Sequence, residues 1–297
     1  MASHRKALLV GMLFSIIVLL LPRGTAWSQD LEDIKARGVL RHLGVPYANF
    51  VTGSGDGMEV ELVRLFAERL GVKYEYVRTD WDDCIGDLTG KKVRSKAGGI
   101  EVVADAPVRG DMIANGMTVL PWREQVIDFS APVFRSQVWL VARADSPIRP
   151  IRPSGSIDKD IAAVRQLLRD RSLLCKANTC LDPTLYELDK TGARTLLYPG
   201  PLNELVPALL NRKAELTILD VPDALVALQK WPGKIKVLGP VSGMQDMAAA
   251  FRKDSPKLRA AFNAFLAESK KNGTFPAIVR KYYPYLLDYY PRFFQER

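Results

Sequence analysis

The stretch NGMTVLPWREQVIDFSAPVF, residues 115–134, holds a single cation, Arg123, five residues after Thr118 and seven after Gly116. Arginine is rarely buried unless paired. Its planar guanidinium gives two parallel hydrogen bonds to a carboxylate, a geometry lysine cannot reproduce. Two kinds of partner are open to it: an acid of its own chain, Glu124 or Asp128, or a carboxylate arriving from outside. Asp220, at the end of ELTILD, is a second charged candidate. It precedes VPDALVAL, with Pro222 in the first turn, so it can cap a helix and still face a cleft. The cysteines are Cys84, Cys175 and Cys180. In an exported chain Cys175 and Cys180 form a candidate disulfide, which would leave Cys84 as a buried thiol. Closeness in sequence does not by itself supply the Cα spacing a bridge needs. No metal and no cofactor are expected: past residue 28 the one histidine is His42, and there is no Cys-x-x-C pair. General nucleophilic or metal catalysis therefore lacks its usual residues.

The elements that must hold these residues alternate between strand and helix. GVLRHLGV reads as a first strand. MEVELVRLFAERLG sets Met58, Leu62, Leu65, Phe66 and Leu70 at helical spacing, with Asp56 as cap and Gly71 as stop. VKYEYV alternates as the next strand, so the three make a parallel βαβ unit. Residues 91–110 read as a hairpin or a loop, QVWLVARA as a strong strand, and SPIRPIRPSGS as irregular. Then come a helix at DIAAVRQLLRD, a strand at SLLCKAN, a helix at LDPTLYELDKTG and another at LNELVPALLNRKA. ELTILD and IKVLGPVS are strands, and DSPKLRAAFNAFLAESKKNG is a helix capped by Ser255. The fold class is α/β. In open α/β sheets ligands bind outside the carboxyl ends of strands, and Arg123 follows such an end.

The 297 residues suit two lobes better than one core. With 47% apolar and 25% charged residues the chain is ordinarily globular. Its net charge is +9, of which Arg5, Lys6 and Arg23 contribute three ahead of residue 29. The remaining basic residues are scattered, as solvated faces are, so no nucleic-acid partner is expected. The start, MASHRKALLVGMLFSIIVLLLPRGTAWSQD, has a basic end, an apolar run and a small-x-small site at Ala26-Trp27-Ser28. It reads as a Sec signal peptide cleaved near Ser28, with an uncleaved anchor as the alternative. The expected location is the periplasm.

The ordered segments GVLRHLGVPYANF, GDGMEVELVRLFAERLGV, DWDDCIGDL, NGMTVLPWREQVIDFSAPVF, AELTILDVPDALVAL and LRAAFNAFLAESKKNGTFPAIVRKYYP resemble bacterial extracellular solute-binding proteins of family 3, the polar-amino-acid group. The resemblance implies a two-lobed type II periplasmic-binding-protein fold with a hinge of two crossing strands. It implies a signal peptide at 1–28, lobe 1 from 29–135, lobe 2 from 136–242, and a return to lobe 1 over 243–297. By motif, Arg123 and Thr118 would hold a ligand carboxylate, and the Gly116 carbonyl and Asp220 its ammonium. Asn178 and Thr179 fall where the family begins a helix whose N–H groups suit an anion. Tyr47 and Trp81 match the two aromatic positions that sandwich a ligand side chain, though both could be plain core. Trp122 replaces a polar residue and reads as a surface or rim tryptophan.

The departures leave the ligand open. Leu120 stands for the family's second threonine, residues 91–110 are an insertion, and SLLCKANTCLDP replaces the usual glycine-threonine run. No acid precedes Tyr47, where members selecting basic amino acids often carry one. The expected function is capture of a small amino-acid-like or carboxylate solute for an inner-membrane ABC permease, by a monomer without catalysis. Two alternatives remain: an accessory or sensor protein docking a membrane or redox partner, and a dehydratase-like enzyme. The lytic transglycosylases that carry such a module are disfavoured because no catalytic stretch follows residue 297. The aromatic tail YYPYLLDYYPRFF is expected to pack back on lobe 1.

Overall fold

The computed structural model describes residues 30–96 and 99–286. The expected leader and its cleavage site lie outside the described residues, as does most of the aromatic tail. Two five-stranded sheets organise the rest. The first runs in the order Lys73–Arg78, Val39–Gly44, Met112–Ile113, Ala250–Arg252, Ile127–Phe129. The second runs Arg194–Leu197, Ser172–Cys175, Leu216–Asp220, Val138–Arg143, Ile235–Pro240.

The opening βαβ unit forms as its periodicity predicts. Val39 to Gly44 pairs in parallel with Lys73 to Arg78. The Met58–Leu70 helix between them buries Met58, Val60, Leu62, Val63, Phe66 and Ala67. Its N-cap is Gly57, not Asp56, whose carboxylate instead accepts the Thr52 hydroxyl. Gly57 has φ +138°, and a Cβ there would fall 2.3 Å from the Phe50 carbonyl oxygen, so only glycine fits. The last long helix, Pro256–Lys271, has Ser255 at its N-cap as expected, but its capping acceptor comes from elsewhere. The Ser255 hydroxyl makes no cap hydrogen bond and donates instead to Asp254 Oδ1 at 3.4 Å. Asp30 supplies the acceptor from the far end of the chain, taking the N–H groups of Lys257 and Leu258 at 3.1 and 2.8 Å. The same carboxylate takes Leu31 N–H at 2.8 Å and so caps two helices.

Two strands cross between the sheets. Phe134–Ser136 carries the chain out of the first sheet and Gln245–Met247 brings it back, paired antiparallel. This pair joins the two lobes of the molecule. Tyr283 packs beside it, with its ring 5.3 Å from Phe134 and 5.5 Å from Phe50. The insertion forms a two-stranded hairpin, Lys91–Lys96 with Gly99–Asp105, exposing Val102 and Val103.

Two expectations fail locally. LDPTLYELDKTG is not an α-helix but two 3₁₀ turns, Pro183–Tyr186 and Leu188–Thr191, broken at Glu187 with φ +52°. Trp122 is buried rather than at a rim, at 8% exposure.

Candidate functional site

Strand geometry gathers the singled-out residues, because each follows or ends a strand at its carboxyl end. Tyr47 follows Val39–Gly44, Trp81 follows Lys73–Arg78, and Gly116, Thr118 and Arg123 follow Met112–Ile113. Across the gap, Asn178 and Thr179 follow Ser172–Cys175, and Asp220 ends Leu216–Asp220. The two sets meet in a closed cleft. Ala48 N–H donates to Asn203 Oδ1 at 3.2 Å, and Arg123 Nη2 to the Asn178 carbonyl at 3.4 Å.

Arg123 stands on the short helix Pro121–Glu124 and is 2% exposed. Neither acid near it in sequence takes it. Asp128 binds Lys253 at 3.3 Å and Arg259 at 3.1 Å, and Glu124 is exposed. Arg123 Nη1 donates to the Thr118 carbonyl at 2.9 Å, and Nε has no partner. The Trp122 and Trp81 rings lie 5.2 and 5.7 Å from the guanidinium carbon, a cation–π environment. Among the described residues no carboxylate pairs with this cation, and burial lowers its pKa.

Asp220 is 1% exposed and caps the Val221–Lys230 helix, its Oδ1 accepting Asp223 N–H at 3.3 Å. Its Oδ2 accepts the Cys180 thiol at 3.4 Å. No cation of the described chain reaches it, and burial raises its pKa to about 6. Cys180 lies within electrostatic reach of both Asp220 and Arg123. The candidate disulfide is not formed: Cys84, Cys175 and Cys180 are all buried free thiols. The chain turns through Asn178, φ +59°, which sends Cys180 to Asp220, while Cys175 stays in its strand with its thiol on the Leu173 carbonyl at 3.8 Å.

Gly116 has φ +71°, and a Cβ there would lie 2.4 Å from the Phe50 ring. Its N–H donates to Glu59 Oε2 at 2.8 Å. Thr118 is 1% exposed, and its hydroxyl neighbours Cys180 without a partner. Asn178 and Thr179 depart from the motif. They open onto the 3₁₀ turns, not an α-helix, and Asn178 N–H is already taken by Asp182 Oδ2 at 3.1 Å. Thr179 Oγ1 donates to the Lys176 carbonyl at 2.8 Å and accepts Leu181 N–H at 3.0 Å. Tyr47 and Trp81 meet edge to face with centroids 5.6 Å apart, so in this closed state they contact each other. Tyr47 Oη faces Asp220 and Asp223 without reaching hydrogen-bond geometry. Outside Trp81 a cavity of about 480 Å³ opens between the 78–83 and 199–202 turns, with Arg78, Arg109 and Lys176 in its wall.

Three buried polar residues here were not singled out from the sequence. Glu59 is 0% exposed, its Oε1 has no partner, and burial raises its pKa to about 7. Asp223 is 5% exposed, its Oδ2 has no partner, and burial, with Asp220 nearby, raises its pKa well above the usual carboxylate range. Asn115 is 0% exposed with neither amide atom partnered. The signal for the two acids is an acidic residue in the first turn of a helix between apolar neighbours, Met58 and Val60 or Pro222 and Ala224.

Residues 43–105 and 107–285 match the family described as bacterial extracellular solute-binding proteins, family 3, and the chain belongs to it. It is 23% identical over 284 residues to the L-cystine-binding protein TcyJ of Escherichia coli, covering 94% of this chain and 95% of the relative. It is 29% identical over 231 residues to a membrane-bound lytic murein transglycosylase F of Desulfosudis oleivorans, covering 76% of this chain but spanning only 44% of that relative. Among solved structures, a mutant of ArgBP from T. maritima superposes with a TM-score of 0.67 at 24% identity, covering 86% of this chain and 99% of the other. That likeness establishes the two-lobed fold.

Proposed function

We propose that the protein captures a small amino-acid-like solute in the periplasm and hands it to an inner-membrane ABC permease, acting as a monomer without chemistry of its own. One observation carries the reading: among the described residues, a buried guanidinium has no carboxylate on one wall of the cleft, and a buried carboxylate has no cation on the other. A buried charge is strongly unfavourable until it is paired. A zwitterionic solute supplies both missing partners, its carboxylate to Arg123 and its ammonium to Asp220. Thr118, whose carbonyl already accepts from Arg123, and the Gly116 carbonyl would add contacts to the solute's carboxylate and ammonium. The two crossing strands let the lobes part to admit the solute and close over it. The amino-acid binders among the relatives support the same class of ligand.

The test is isothermal titration against amino acids and small carboxylates, followed by Arg123→Ala with whichever solute binds. Removing one partner of a buried charge pair costs about 2–5 kcal/mol of binding free energy. The expected loss of affinity is therefore more than about tenfold. Full affinity retained by Arg123→Ala would overturn the carboxylate assignment.

A further inference from the structure

The cleft holds more carboxyl groups than a simple zwitterion needs. Asp223 lies three residues into the helix that Asp220 caps. An acid at that place in a capping box turns back to the N-cap backbone and is satisfied there. Asp223 is not: among the described residues no hydrogen bond or ion pair engages its carboxylate, and its Oδ2 is buried and unpartnered. Asp220 spends its own oxygens on Asp223 N–H and the Cys180 thiol, so it offers Asp223 no positive charge. The helix N-terminus favours negative charge in its first turn, but that effect is small beside the desolvation of a buried carboxylate.

An independent group points the same way from the opposite wall. Tyr47, 1% exposed, sets an unpartnered hydroxyl beside both Asp220 and Asp223. A phenol oxygen and two carboxylates are acceptors for N–H donors, and none of the described chain's cations reaches them. Glu59 differs, because Gly116 N–H already serves one of its oxygens. The apolar and small residues around Asp223, Val221, Ala224 and Leu225, are all buried and provide no donor.

We propose that Asp223 is a second acceptor of positive charge in the cleft beside Asp220, and that the solute is a cationic amino acid or a close derivative. Its carboxylate meets Arg123, its α-ammonium meets Asp220, and a further ammonium or guanidinium reaches Asp223 and the Tyr47 hydroxyl. This rests on the roles given above to Arg123 and Asp220.

Titration calorimetry on the full mature protein decides it with matched pairs: arginine against citrulline, lysine against norleucine, ornithine against norvaline. At least one cationic member binds about a hundredfold tighter than its neutral partner, and Asp223→Asn reduces that preference at least tenfold. Asp223→Asn also raises the melting temperature of the unliganded protein, whereas a structural role for the carboxylate would lower it. Equal binding of cationic and neutral partners overturns this inference and leaves the zwitterion reading standing. Binding of no amino acid at all overturns both. The wild-type pairs separate these outcomes even if the variant fails to fold.

Discussion

Asp111 and Asp220 are both buried carboxylates at the ends of sheet strands, and the chain treats them oppositely. Asp111, 0% exposed, receives Arg37 Nη2 at 2.6 Å, Arg41 Nη2 at 2.9 Å and the Arg41 backbone N–H at 2.8 Å. Among the described residues Asp220 receives a backbone N–H and a thiol but no cation. The buried arginines divide the same way. Arg252 donates to the Leu88 and Gly110 carbonyls and lies 3.4 Å from Asp254. Among the described residues Arg123 holds two carbonyls and two indole faces but no carboxylate. Where a buried charge serves architecture, this chain supplies its counter-charge. In the cleft it does not, and the deficit has opposite sign on the two walls.

The sharpest way to break that contrast is at the architectural end. Asp111→Ala should destabilise the protein by about 3–5 kcal/mol in urea unfolding, because it strips a fully engaged buried acid from its partners. An unchanged unfolding midpoint would mean that Asp111 and Asp220 do not differ as described.

Glu59→Gln tests the cleft end through pH. The folded-state pKa of about 7 lies above the ordinary 4.5, so the native state holds this proton more tightly than the unfolded chain. Stability is therefore greatest below about pH 4.5 and is lost as pH rises toward 7. The glutamine variant lacks this loss, so it should gain up to about 3 kcal/mol relative to wild type above pH 7 and nothing below 4.5. A difference that stays constant with pH would show that Glu59 is satisfied where it stands.

The smallest effect concerns binding. Asp220, facing Tyr47, Cys180 and Asp223, must be ionised to hold an ammonium, and its carboxyl titrates near 6. Affinity should fall about tenfold, or about 1.4 kcal/mol, for each unit below that value. A titration series that is flat between pH 7 and 5 would remove Asp220 from the contact.

The same contrast explains what could be read from the residues alone. The βαβ start, the strand ends and the position of Arg123 follow from periodicity and spacing, which depend on neighbours a few residues apart. Whether Arg123 takes Asp128 or leaves it free depends on Lys253 and Arg259, more than a hundred residues away. Asp223 and Glu59 escaped notice because acids in a first helical turn are commonplace, and only burial makes them unusual. Trp122 sits in a helix of four residues, too short to show a periodic face. The 181–192 segment carries helix formers, but Glu187 adopts a left-handed conformation there and splits it into two turns.

The indoles beside Arg123 give this cleft an optical voice. Trp81 and Trp122 both lie within 6 Å of the guanidinium carbon, so their excited states feel the field of that cation directly. On the proposed reading, a carboxylate docking on Arg123 would cancel much of that field, and parting of the lobes would expose Trp81 further. Emission wavelength and intensity would then follow occupancy without any attached dye, in real time by stopped flow.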